Sequence, residues 1–186
     1  GNLYMTRPGM DASAPAIVIG SHLDSVPNGG NFDGAAGVIA GIAVLEAFAR
    51  AGFRHRGDVT VMAIRCEESS SWFAGEHGGH LGSRMALGLI DPAELDQAVR
   101  LDTKRSLGQH IADCGFDPER VKQGPAHLTP QHVKQYFELH IEQGPVLEMK
   151  ALAVGIVDSI RGNSRLRNSR CVGAYNHGGA TPQEIR

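Results

Sequence analysis

The strongest constraint on how this chain can fold is a pair of apolar runs that bracket a helix built on small residues. Ala16-Ile17-Val18-Ile19-Gly20 is continuous and β-branched, and it reads as a buried strand. From Asp58 to Arg65 the pattern alternates, with Val59, Val61 and Ala63 on one face and Met62 and Ile64 on the other. Between the two runs, Val38, Ile42, Leu45 and Phe48 recur at i, i+4, i+7 and i+10, which makes one apolar helix face. That helix is expected to start at Asp33 and to close at Gly52. Gly34, Ala35, Ala36 and Gly37 fill its first turn and allow close packing on a sheet. Strand, helix, strand predicts a βαβ-like unit, and with it an α/β fold whose mostly parallel sheet is flanked by helices.

Downstream, the periodicity predicts short helices over 82–89, 92–99 and 107–114. Strands are predicted over 136–141, 154–160 and 170–175, and the stretch Gly1-Asn2-Leu3-Tyr4 resembles a strand entering a turn. Residues 69–80 read as a Gly- and Ser-rich loop.

Composition removes several function classes. The net charge is −2 with no basic stripe, so no nucleic-acid partner is expected. The longest apolar stretch, Ala35 to Phe48, is too short and interrupted to span a bilayer, and no membrane partner is expected. No charged segment followed by an apolar one opens the chain in the manner of a secretory signal. The three cysteines form no C-x-x-C pair, which fits a reducing compartment and predicts a cytoplasmic protein. Nine histidines, by contrast, are enough to raise the question of metal.

Acidic and imidazole side chains gather at strand ends and at a helix start. His22 follows the first strand, Glu67 and Glu68 follow the second, His140 lies near the end of a third, and Asp33 heads the intervening helix. Ligands of open α/β sheets bind at the carboxyl ends of the strands. Imidazole and carboxylate suit zinc or a similar divalent ion, and a carboxylate such as Asp33 can bridge two ions. In His22-x-Asp24, period two puts both side chains on one face, so the Asp24 carboxylate is expected to fix the His22 ring from behind. Of the adjacent Glu67 and Glu68, one is expected to ligate and the other to accept a proton from the attacking water. Each residue alone has a plainer reading: Asp33 as a helix N-cap, Glu67 and Glu68 as a solvated strand end, His140 as a core histidine. Their joint order and placement favour the metal site.

These residues resemble those of a known family. The stretch from Gly20 to Gly34, GSHLDSVPNGGNFDG, is similar to the metal-binding loop of the amidase, hydantoinase/carbamoylase family. That family includes N-carbamoyl-L-amino-acid hydrolases, allantoate amidohydrolases and β-ureidopropionases, within the aminoacylase- and carboxypeptidase-like two-zinc hydrolases. Cys66-Glu67-Glu68, the stretch Glu138 to Pro145 (ELHIEQGP) and Asn176 to Pro182 (NHGGATP) resemble three further family motifs. The resemblance implies a zinc-exopeptidase-like catalytic domain that hydrolyses C–N bonds in N-carbamoyl amino acids or ureido compounds. It implies two divalent ions, zinc first, with manganese, cobalt or nickel as alternatives. His22 and His140 would hold one ion, Glu68 the second, and Asp33 both. Glu67 would be the general base acting on a metal-activated water, and Asp24 would orient His22. Gln143 and Asn163 would contact substrate, and His177 would polarise the scissile carbonyl.

Family members are longer, with a helical segment before Gly1, a complete lid domain and a final histidine ligand on the second metal. The resemblance therefore implies a partial catalytic domain over 1–161 and the beginning of a lid and dimerisation domain over 162–186. It also implies an incomplete second metal site, a poor catalyst as the chain stands, and a homodimer at full length. His77 and His80 are the first candidates if a histidine within the chain completes that site. A dipeptidase or aminoacylase is a competing expectation, although those enzymes usually carry a carboxylate where His140 stands. A catalytically silent metal-binding fragment is the other.

Overall fold

The protein is described by a computed structural model over residues 1–68 and 79–159. It divides into two compact units, Gly1–Gln143 and Gly144–Arg186. The expected boundary between 161 and 162 lies outside the described residues, as does the strand expected over 170–175.

In the first unit, β2 (Ala16–His22) and β3 (Val59–Ile64) are parallel neighbours joined through α1 (Ala35–Arg50). This is the βαβ unit predicted from the sequence. Two edge strands complete the sheet: β1 (Leu3–Arg7) lies antiparallel to β3, and β4 (Val133–Phe137) lies parallel to β2. The strand order is β1-β3-β2-β4. All six residues of β3 are buried because both of its faces are covered. Val59, Val61 and Ala63 pack with Val38 and Leu45 of α1, while Met62 and Ile64 pack with Val18 and Ala86.

Over 81–126 the chain forms four short helices, α2 (Leu81–Ala86), α3 (Glu94–Gln97), α4 (Leu107–Asp113) and α5 (Pro118–Gln123). The first three fall on the expected helices, each ending earlier than expected and α2 starting one residue sooner. The fourth was not foreseen, although its signal is local: Pro118 occupies the first turn and the Asp117 carboxylate accepts the Glu119 N–H. Leu81, Ile90, Leu95, Ala98 and Leu107 close a small core between these helices. Arg84 grips the buried Glu94 carboxylate with both of its terminal nitrogens.

Three expectations need correction. Strand β4 starts and ends earlier than 136–141, so residues 138–141 run beyond the sheet. Helix α1 starts at Ala35 rather than at Asp33; the N-cap position falls on Gly34, whose φ of 67° a side chain would resist, so the alternative reading of Asp33 as the N-cap does not hold either. In the second unit, α6 (Val146–Met149) forms, and residues 154–159 carry no regular structure where a strand was expected. Val154, Ile156 and Val157 are exposed there, and β-propensity expresses itself only beside a pairing neighbour.

Small residues bring α1 down onto the sheet. A Cβ on Gly37 would collide with the Leu139 carbonyl oxygen and with the Ser21 side chain. Gly37→Ala therefore tests the packing by sign. Helix propensity alone would stabilise the substitution by about 1 kcal/mol, whereas overpacking against the main chain should destabilise it by about 1–3 kcal/mol. We expect net destabilisation in chemical denaturation; a stabilised variant would show that residue 139 does not lie against α1.

Candidate metal centre

The parallel register of β2 and β3 pairs His22 with Ile64, so both strands release their loops at one edge of the sheet. His22 is the last residue of β2 and its side chain is 2% exposed. Its Nδ1 lies 2.7 Å from the Asp24 main-chain oxygen. A carbonyl only accepts, so Nδ1 carries the hydrogen and Nε2 presents a lone pair. His140 repeats the arrangement, with its Nδ1 2.8 Å from the Ile141 carbonyl oxygen.

The two Nε2 atoms come within 3.4 Å of each other. Asp33 Oδ1 lies 3.5 Å from the first and 3.2 Å from the second. That oxygen is buried and has no hydrogen-bond partner among the described residues. Three electron-pair donors thus face one another, an arrangement that a cation stabilises and that its absence leaves repulsive. Ligands about 2.0–2.1 Å from one ion at tetrahedral angles sit about 3.3–3.4 Å apart, so the observed separations fit a zinc-sized ion.

A second group adjoins the first. One ligand atom each from His22, Glu67 and Glu68 lie within 4.8 Å of one another. The Asp24 carboxylate accepts the N–H of Glu67 through Oδ1 and that of Glu68 through Oδ2, each at 3.0 Å. Asp24 therefore does hold the His22 ring, but through its main-chain carbonyl; its carboxylate fixes the loop after β3 instead. Gln143, expected to face substrate, donates from Nε2 to Asp33 Oδ2 at 2.7 Å. His80 reaches Glu67. His77, Asn163 and His177 lie outside the described residues.

Glu138 opens the ELHIEQGP motif, and nothing local in the sequence assigns it a task. In the structure it accepts from the Ser21 hydroxyl at 2.8 Å and from the Tyr136 hydroxyl at 3.4 Å. It thereby pins the segment that carries His140 to β2. Burial and the neighbouring Glu138 carboxylate together push the Tyr136 phenol well above its ordinary range.

The profile of peptidase family M20/M25/M40 matches residues 18–184. The chain belongs to that family. It is 38% identical over 186 residues to an N-carbamoyl-L-amino-acid amidohydrolase of Pseudomonas sp. strain NS671. It is 39% identical over 186 residues to an N-carbamoyl-L-amino acid amidohydrolase of Geobacillus stearothermophilus. This M20-family chain is fully covered in both comparisons and spans 43% of the length of each relative. Among solved structures, a hydantoinase/carbamoylase family amidase from Burkholderia ambifaria is similar with a TM-score of 0.66 at 35% identity, covering 81% of this chain and 34% of that one. The expected fold class and family resemblance are both borne out.

Electrostatics couple this M20-family site to pH. Burial disfavours the charged His22 ring, but the Asp24 carbonyl and the carboxylates of Glu67, Asp24 and Glu68 outweigh it and raise its pKa above 6.5. Burial, then the neighbouring Glu67, raises that of Glu68 above the ordinary carboxylate value. Both groups must lose a proton to bind a cation. Zn²⁺ affinity should therefore fall as pH drops from about 8 to about 6, with proton release on binding. Isothermal titration in buffers of different ionisation enthalpy measures both quantities. His140→Ala should weaken binding at every pH, and unchanged affinity in that variant would remove His140 from the site.

Proposed function

We propose that this chain carries the metal-binding half of a hydrolase that cleaves non-peptide C–N bonds in N-carbamoyl amino acids or related ureido compounds. The observation that carries the reading is the convergence of two imidazole Nε2 atoms on the partnerless Asp33 oxygen, with two glutamates beside them. The similarity to N-carbamoyl amino acid amidohydrolases narrows the substrate class.

His22, His140 and Asp33 would hold one divalent ion, zinc by the chemistry of the donors, and Glu68 with Asp33 would hold a second. Such an ion supplies Lewis acidity, lowering the pKa of a water and polarising the substrate carbonyl. The protein's own residues do the rest. Glu67 takes a proton from the water as it attacks the carbamoyl carbon. It returns that proton to the leaving nitrogen as the C–N bond breaks. Asp24 keeps the two glutamates in register by binding their N–H groups. Gln143 holds the second Asp33 oxygen. In the same reading, His177 polarises the carbonyl and Asn163 contacts substrate.

No described helix is long and apolar enough to cross a membrane. A cytoplasmic setting rests on the sparse cysteines, of which Cys66 and Cys114 are free. A homodimer at full length rests on the family resemblance.

Exchanging the two glutamates one at a time tests the assignment. In a catalytically active preparation, Glu67→Gln should retain metal while kcat falls about 10²–10⁴-fold, the usual loss on removing a general base. Glu68→Gln should lose the second ion and keep the first. Metal loss in Glu67→Gln instead would mean that the roles are exchanged, and full activity would make Glu67 structural.

A further inference from the structure

Asp24 grips the main chain of Glu67 but leaves its carboxylate, at the end of three rotatable bonds, to be aimed by something else. We propose that His80 is a positioning residue that orients the Glu67 carboxylate, an inference that rests on the reading of Glu67 as the base. Its Nδ1 lies 2.8 Å from Glu67 Oε1. A carboxylate oxygen accepts, so Nδ1 carries the hydrogen of this contact.

The backbone builds the approach. The His80 N–H donates to the Glu67 carbonyl at 2.7 Å, and the Leu81 N–H to the Cys66 carbonyl at 2.8 Å. Residues 80 and 81 are thereby laid against residues 66 and 67, and α2 starts there. Cys66 and His80 both adopt left-handed backbone, with φ of 56° and 52°. Non-glycine residues seldom adopt it, and here the two conformations bring the start of α2 and the end of β3 together at the base. Main chain and ring thus tie His80 to Glu67 at two points.

The ring is 67% exposed, so the pair contributes little to stability. Its consequence is orientation. A carboxylate with Oε1 committed to His80 turns about a fixed pivot, leaving Oε2 to reach the water. The ring binds Glu67 rather than Glu68, so His80 acts on the base and is not the histidine that would complete the second metal position.

Two variants separate ring from backbone. His80→Gly removes the ring and relieves the positive φ, whereas His80→Asn places an amide N–H where Nδ1 stood and tolerates the same backbone. In a catalytically active preparation, steady-state kinetics on an N-carbamoyl-L-amino acid, with metal content measured alongside, should show His80→Gly losing about tenfold in kcat, the scale of loss for a supporting hydrogen bond. KM, metal content and Tm should hold, and His80→Asn should recover most of the loss. On a Glu67→Gln background, His80→Gly should cost nothing more, because its effect passes through that carboxylate. An unchanged kcat in His80→Gly, or a loss that persists without Glu67, overturns the proposal.

Imidazole nitrogen NMR on the 186-residue chain reads the same contact without turnover. His80 should be fixed in its Nδ1–H form and released from it by Glu67→Ala. Direct perturbation of the His80 ring nitrogens by Zn²⁺, retained in Glu67→Ala, would make it a ligand and also overturn the proposal. Full activity of Glu67→Gln alone would instead defeat the assignment of the base and leave the NMR contact standing.

Discussion

Two carbonyl oxygens, of Asp24 and Ile141, decide the chemistry of this site. Each accepts the Nδ1 hydrogen of a histidine and so turns that ring's lone pair toward Asp33. Without those bonds either tautomer of His22 and His140 would be open, and one of them would put a hydrogen where a ligand is needed. With them, three acceptors confront one another across less than 4 Å. That is electrostatically unfavourable where His22 is buried and Asp33 half-buried, and a positive charge at their centre resolves it.

The scaffold exists to impose that confrontation. His22 comes from β2, Asp33 from the approach to α1, and His140 from the chain beyond β4, a separation of 118 residues between the histidines. Gly34 leaves room for the His22 ring, because a Cβ there would strike its Nδ1. Gly37 lets Leu139, the residue before His140, lie against α1. The Ser21–Glu138 bond fastens the same segment to the neighbouring strand. Two contacts, one from α1 and one from β2, converge on the position of His140.

The carboxylates divide their work by where their oxygens find hydrogens. Both Asp24 oxygens are occupied by main-chain N–H groups, which removes Asp24 from the set of free ligands. Asp33 keeps one oxygen without a partner and commits the other to Gln143. Glu68 is left beside Glu67, and their mutual repulsion adds to burial in favouring its proton. In the proposed reading, residues of one chemical type thus become a clamp, a ligand and a base through local surroundings alone.

Much of this was legible in the chain itself. The alternation in residues 58–65 and the 3.6-residue period of α1 fixed the βαβ unit, because periodicity records which face of an element meets the core. His22, Asp33, Glu67, Glu68 and His140 could be gathered because a parallel sheet delivers its strand ends to one edge. What remained hidden depends on chain paths that no local pattern encodes. Period two placed the Asp24 side chain beside His22, yet its carboxylate bends away to two N–H groups more than 40 residues further along. Asp33 could have been a cap on propensity, and only the placement of Gly34 at the N-cap position freed its carboxylate. Val154, Ile156 and Val157 have the composition of a strand, but a strand needs a neighbour, and composition supplies none. The sequence alone determined which residues could do chemistry; the tertiary structure alone decided which of their atoms face one another, because lone pairs are aimed by hydrogen bonds from distant parts of the chain.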